Sequence, residues 1–235
     1  MSISPVFQSV YTTARHHGSL SAMYDVGVRM LNKCVYYRVM QCLVFDDVPQ
    51  LPPTLPETFR FTKLEERDLL CFAQSADSEL TPEFVHHALA KGDECYAILD
   101  GTNLASYGWY SRQPTRTNCE DLSLHFDWVN YVYMYKAFTV ERYRGQRLHA
   151  IGVTQSLMRF RSLGYKGLLC YVESNNFDSL KSSYRMGYRS CGRIHVMRVA
   201  GRYIIRPQSE CGYFGLAVAV DRKGATGVAG KTAAA

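Results

Sequence analysis

Residues 131–140 read YVYMYKAFTV, a run of aromatic and β-branched residues that suits a strand, and it gives way at once to RYRGQRLHA at 142–150. After this break Leu148, Ala150, Ile151, Val153, Leu157 and Phe160 recur at helical spacing as far as a helix-stopping Gly164, which predicts a helix from about Gln146 to Leu163. A strand that hands over to a helix through a glycine turn leaves the first N–H groups of the helix without intrahelical acceptors, where the helix dipole favours negative charge. Gly145 lets a bulky ligand approach the backbone, and Arg142, Arg144 and Arg147 put three cations around the same turn. The chemistry suggests a phosphate.

The chain around this loop has 235 residues, 47% of them hydrophobic and 13% aromatic, which is enough for one sizeable core with appendages. No stretch approaches the roughly 18 apolar residues of a spanning helix, and MSISPVFQSVYTTARHHGS lacks the pattern of a signal peptide, so the expected location is the cytoplasm. The eight cysteines, at 34, 42, 71, 95, 119, 170, 191 and 211, form no CxxC pair and no zinc spacing with histidine, and predict reduced, mostly buried thiols. Cys170 has no histidine partner at an interpretable spacing, and the pairs His16-His17 and His86-His87 find no third ligand, so no thiol catalysis and no metal is expected. A net charge of +6 allows a polyanionic partner, although basic runs more often form a solvated face.

Along the chain, Met23, Val26, Gly27, Met30, Leu31 and Cys34 share one face of an amphipathic helix over 22–35. Arg15, Arg29, Lys33 and Arg38 stand against Asp25 alone in the first 45 residues, so this helix packs on the domain or a partner subunit or makes a peripheral membrane contact, the first being favoured. A strand at 39–45 and a proline-rich linker at 46–57 complete an N-terminal segment, 1–57, ahead of a main domain at 58–220 and a disordered tail at 221–235. Within the main domain the sequence predicts strands at 59–64, 95–100 and 104–111, helical material over 65–90, and a polar stretch at 111–126. After the loop come a helix, a buried strand at 167–173, a short helix at 177–186 ended by Gly187, and a hairpin over 193–206 turning at Ala200-Gly201. The alternation fits an α/β or α+β fold.

The six residues Arg142, Tyr143, Arg144, Gly145, Gln146 and Arg147 resemble the R/Q-x-x-G-x-G/A signature of the GNAT superfamily of acyl-CoA-dependent N-acyltransferases, with Arg147 in place of the last small residue. A second stretch, NFDSLKSSYRMGY at 176–188, is similar to that family's N-x-x-S/A followed by a short helix and Gly-aromatic, with Asn176, Ser179, Gly187 and Tyr188 in the matching places. The resemblance spans about 59–206. It implies a three-layer α+β fold: a mixed, mostly antiparallel central sheet with helices on both faces, here preceded by the N-terminal helix. It also implies that the backbone amides from Arg142 to Leu148 hold the pyrophosphate of coenzyme A, that Asn176 and Ser179 contribute to the donor site, and that the fourth and fifth strands splay near Phe138, Thr139 and Val140 and near Tyr171 to Glu173 to bind pantetheine and polarise the carbonyl. In many members a tyrosine four residues before the second motif's glycine protonates the leaving thiolate; Ser183 stands there, with Tyr184 one step later.

N-acyl transfer needs a neutral amine, a polarised thioester carbonyl and a proton for the sulfur. Tyr184 is the first candidate donor and Ser183 the second, while Glu173, at a strand end, is a candidate base through water or a partner for a cationic substrate. The expected activity is transfer from acyl-CoA to a primary amine of a small molecule, an amino acid or a peptide. Two other readings stay open: a long-chain N-acyl amino acid synthase served by acyl carrier protein docked on the basic loop, and a non-catalytic acyl-CoA-binding or nucleic-acid-binding module. Nucleic acid is not expected as a partner, because the aromatics lie mainly in strands that look buried instead of interleaving with exposed basic residues.

Overall fold

The strand at 36–45 explains how the sheet is layered. Met40, Cys42 and Val44 alternate with Leu43 and Phe45, and all five are buried, so this strand faces apolar material on both sides and belongs inside a sheet. The computed structural model describes residues 5–48, 54–118 and 121–221. Its strands are β1 (Tyr36–Phe45), β2 (Phe59–Lys63), β3 (Glu94–Asp100), β4 (Asn103–Ser111), β5 (Thr115–Arg116), β6 (Leu122–His125), β7 (Tyr131–Thr139), β8 (Gly167–Glu173), β9 (Arg189–Val199), β10 (Arg202–Pro207) and β11 (Ala217–Val220). Its α-helices are α1 (Pro5–His17), α2 (Ser19–Cys34), α3 (Glu66–Phe72), α4 (Pro82–Ala90), α5 (Leu148–Ser162) and α6 (Phe177–Met186). Eight strands form the central sheet in the order β10-β9-β1-β8-β7-β4-β3-β2, antiparallel except for β7 and β8. This is the mixed, mostly antiparallel sheet with helices on both faces that the sequence implied.

One face carries α5 and α6, with Val153, Leu157, Phe160 and Leu180 against Leu43, Phe45, Val132 and Leu168. On the other face, Leu69 of α3 and Val85 of α4 pack on Cys95, Ala97 and Trp109, and the small sheet β11-β6-β5 covers Met40, Cys42 and Val44 with Leu122, Leu124 and Leu216. Each fully buried Leu or Phe in these layers contributes about 1.5–3 kcal/mol. Gly167 opens β8 because a Cβ there would lie 2.8 Å from the carbonyl oxygen of Phe45. The hairpin of β9 and β10 turns at Ala200 and Gly201, both at positive φ, as expected.

The division of the chain at residue 57 does not survive in this sheet. β1 pairs with β8 from Met40 to Phe45 on one side and with β9 from Tyr36 to Val44 on the other, so the segment expected as an appendage supplies an inner strand. VMQCLVF has no period-two alternation because both of its faces are buried. Its one polar residue, Gln41, is satisfied inside the sheet, donating to the Ser190 hydroxyl at 2.8 Å and accepting from Arg193 Nε at 2.8 Å. Residues 49–53 of the expected linker and 222–235 of the expected tail lie outside the described residues.

The N-terminal helix also packs differently from its sequence pattern. A further helix, α1, precedes it, and in α2 the expected apolar face leaves Met23, Met30 and Leu31 exposed while Ala22 and Asp25 are buried. The packing side is held by polar contacts to the turn after β8: Asn175 Nδ2 donates to Asp25 at 3.1 Å, and the Tyr24 and Ser174 hydroxyls lie 2.7 Å apart. The polar stretch at 111–126 contains β5 and β6, strands too short to show a period. Among the described residues no helix is long and apolar enough to cross a membrane.

Deleting residues 1–45 should therefore give insoluble or unfolded protein, because β8 and β9 would each lose a neighbouring strand. Circular dichroism and gel filtration of the truncated chain check this, and a soluble, folded product would contradict it.

Candidate active site

β7 and β8 run parallel and start in register, Tyr131 against Gly167, Val132 against Leu168 and Tyr133 against Leu169, and then pairing stops although β7 continues to Thr139 and β8 to Glu173. The cause lies on the other side of β7. Trp109 of β4 faces Lys136 but the next residue, Tyr110, faces Met134, which leaves Tyr135 as an extra residue, a β-bulge. A bulge bends and twists its strand, and here it turns β7 away from β8 where their pairing ends.

The ladder pattern says which backbone groups face the resulting cleft. Val140 N–H donates to Ala105 C=O at 3.0 Å, so Val140 and, two residues back, Phe138 turn their backbone groups toward β4, whereas Thr139 and Ala137 turn theirs toward β8. Ser174 N–H donates to Val39 C=O at 2.9 Å, which by the same alternation turns the backbone groups of Tyr171 and the N–H of Glu173 away from β1 and into the cleft, while Glu173 C=O accepts from Asn176 N–H at 2.9 Å. Of the three positions expected to offer backbone to a ligand, Phe138 and Val140 therefore do not, Thr139 offers its N–H, since its C=O accepts from Arg144, and Ala137 joins it. Phe138 C=O accepts from the Ser106 hydroxyl at 3.0 Å, and its ring packs on Tyr107.

Beyond β7 the chain makes a short 3-10 turn at Glu141–Tyr143 and enters α5 at Leu148. Tyr143 and Leu148 are buried and pin the loop at both ends, Tyr143 by donating its hydroxyl to Asp100 at 2.9 Å. Between them Gly145 at φ 80° and Arg147 at φ 60° are both left-handed, which folds the backbone back on itself. Arg147 is the N-cap of α5 and offers no side-chain cap, and the N–H groups of Gly145, Gln146, Arg147, Leu148, His149 and Ala150 have no acceptor among the described residues. A Cβ added at Gly145 would meet nothing within 4 Å, so the space over the loop is open. Six unpaired amides at a helix start suit an anion with several oxygens.

The three arginines expected around the turn separate. Arg142 lies over the Tyr143 ring, 3.9 Å from Asp77, and Arg144 Nε donates to Thr139 C=O at 3.3 Å. Arg147 is exposed and has no partner among the described residues, which leaves its guanidinium available to an anion on the loop. A non-glycine residue in the left-handed region costs about 1–2 kcal/mol, which Arg147 carries at this turn.

In the second motif the Asn176 carboxamide accepts from Ser179 N–H at 3.2 Å, so the pair caps α6, and Gly187 at φ 101° ends it. Ser183 is buried, whereas Tyr184 is 47% exposed and its hydroxyl has no partner among the described residues. Glu173 is within 3.3 Å of Arg38 on β1.

Sequence reasoning missed a group of residues on the sheet face opposite α5. The bulge puts the consecutive side chains of Tyr135 and Lys136 on one side of β7, where both meet Phe84 of α4. They line a cavity of about 140 Å³ together with Tyr133, Tyr171, Lys91 and Asp93. Burial pulls the Lys136 ammonium below its ordinary range, against a raising effect of Glu79, and burial pushes the Tyr135 phenol well up, aided by Asp93. The signal in the sequence was Lys136 itself, the single charge inside the run YVYMYKAFTV.

No family model matches the chain, and no curated protein matches it. Among solved structures the chain is similar to a GCN5-related N-acetyltransferase-like protein from Streptococcus suis, at 16% identity and a TM-score of 0.47 over 79% of this chain and 68% of that one. It is similar to an acetyltransferase of the GNAT family from Colwellia psychrerythraea, at 15% identity and a TM-score of 0.47 over 69% of this chain and 55% of that one. An aminoglycoside N-acetyltransferase in complex with CoA matches at 11% identity and a TM-score of 0.42, over 57% of this chain and 91% of that one.

Tyr143→Phe removes the hydroxyl that ties the loop to Asp100 and should cost about 1 kcal/mol of stability. Urea denaturation of the two proteins measures it, and an unchanged midpoint would mean that this bond does not anchor the loop.

Proposed function

We propose that this protein is an acyl-CoA-dependent N-acyltransferase that moves an acyl group to a primary amine by direct attack on the thioester. One observation carries the reading: the parallel pair β7 and β8 comes apart after three registered residues, immediately before a loop with six unpaired amides. A cleft with the backbone of Ala137 and Tyr171 and the N–H groups of Thr139 and Glu173 turned inward, and an anion site at its mouth, suits an extended donor with a pyrophosphate at one end. Gly145 to Ala150 would hold the pyrophosphate, with Arg147 as an added cation, and the backbone of Ala137 and Tyr171 with the N–H groups of Thr139 and Glu173 would hold the pantetheine arm by strand-like hydrogen bonds. The bound donor supplies the activated carbonyl; the chain supplies position and charge.

As the amine nitrogen bonds to the carbonyl carbon, the carbon–sulfur bond breaks and its electron pair leaves on sulfur. An amine that arrives as ammonium sheds one proton before attack and one after; one goes to solvent and the other to the thiolate. We assign the second delivery to Tyr184, whose hydroxyl is exposed and unpartnered on the helix that follows β8, with Ser183 beneath it as the alternative. Glu173, held by Arg38, is the acceptor of the first proton through water. An acyl carrier protein in place of coenzyme A would meet the same cleft, and offering both thioesters separates the two donors.

Gly145→Glu adds bulk and like charge over the open face of the loop. Each charge-assisted hydrogen bond lost from a phosphate is worth about 1.5–3 kcal/mol, so losing two weakens coenzyme A binding by about 10² or more. Calorimetry, with circular dichroism to confirm folding, reads this, and unchanged affinity in a folded variant would remove the donor site from the loop. Tyr184→Phe should lower kcat by about 10- to 10³-fold with donor affinity kept. Full activity in that variant, with loss in Ser183→Ala, would transfer the role to the serine.

A further inference from the structure

The cavity lined by Tyr135, Lys136 and Asp93 has two unanswered groups. Asp93 is buried, its side chain 1% exposed; Oδ2 accepts from the Tyr135 hydroxyl at 2.8 Å and lies 3.0 Å from Lys91 Nζ, while Oδ1 has no partner among the described residues. Lys136 Nζ donates to the Glu79 carbonyl at 2.9 Å and sits 4.9 Å from the centre of the Phe84 ring, with no carboxylate within 4 Å among the described residues. The remaining charges are matched: Lys91 by Asp93, and Arg116 by Asp221 at 3.4 Å. A buried acceptor without a donor and a buried ammonium with no carboxylate in ion-pair contact are both unfavourable unless a ligand completes them.

We propose that this cavity binds a free α-amino acid, its carboxylate on Lys136 and its ammonium on Asp93 Oδ1. Opposite charges on one small molecule answer both groups at once, whereas an amine without an acid would leave Lys136 unmatched and add a further positive charge beside it. At about 140 Å³ the cavity compares with one that holds benzene, so it has room for an amino acid with a small side chain. Tyr133 and Tyr135 of β7 and Tyr171 of β8 line it, so it lies against the two strands that form the cleft. The amino acid is then the acceptor, a role that rests on the acyl-transfer reading, although the binding itself does not.

The test is calorimetry on the full chain with L-alanine against ethylamine and L-serine against ethanolamine, each pair differing by the carboxylate, with and without coenzyme A. Each amino acid should bind about 10-fold or more tighter than its amine, the size of one buried charge-assisted pair. Lys136→Met should erase that preference with the circular dichroism spectrum unchanged, and Asp93→Asn should weaken both members of a pair. Equal affinity within both pairs in the unaltered protein, or a preference that persists in Lys136→Met, overturns the proposal. Thiol release from acetyl-CoA, followed separately, distinguishes the two readings. Amino-acid binding without turnover of any thioester would leave this site standing and sink acyl transfer, whereas turnover of the amines in preference to the amino acids would do the reverse.

Discussion

The bulge at Tyr135 is the constraint on which both candidate sites depend. One extra residue on β7 ends the parallel pairing with β8 on one edge while the ladder to β4 continues on the other. It thereby frees the backbone of Ala137 and the N–H of Thr139, and it places Tyr135 and Lys136 side by side on one face. A regular strand would have closed the cleft with hydrogen bonds and sent Lys136 to the α5 side, into apolar packing. The cleft between β7 and β8 and the cavity with Asp93 are two consequences of the same irregularity, which is why they lie next to each other.

The sheet around the bulge is built so that it cannot relax. β1 braces β8 from the far side through six registered pairs from Met40 to Phe45, and β4 holds β7 up to Thr139. The loop after β7 is held at both ends by buried side chains, Tyr143 against Asp100 and Phe59, and Leu148 in the cluster under α5. Between these anchors the backbone spends two left-handed residues, one of them an arginine, to turn its amides outward. The strain at Arg147 is reasonable where a ligand would use what it exposes.

Much of the fold was legible in the sequence because its signals were local. The helix α5 with its stop at Gly164, the hairpin at Ala200-Gly201 and the glycine end of α6 each follow from spacing or turn chemistry over a few residues. The place of β1 was not, since pairing between residue 42 and residue 171 leaves no local mark and the prolines after Phe45 look like a boundary. α2 misled for the opposite reason: its apolar pattern was real, but the hydrogen bond between the Tyr24 and Ser174 hydroxyls and the one that Asp25 accepts from Asn175 decide which side packs. At the site, the loop was visible from Gly145 and its arginines, while the cavity was hidden, because Asp93 and Lys136 are 43 residues apart and meet only through the bulge.

The central claim is that the unpaired amides of the loop and the freed strand edges receive the acyl donor. Amide NMR of the uniformly nitrogen-15-labelled protein during titration with coenzyme A tests it residue by residue. The account predicts that the largest shift changes fall on the amides of Gly145 to Ala150, followed by Ala137, Thr139 and Tyr171, with the far strands β2 and β10 unmoved. Saturable binding whose shifts avoid residues 145–150 would contradict it.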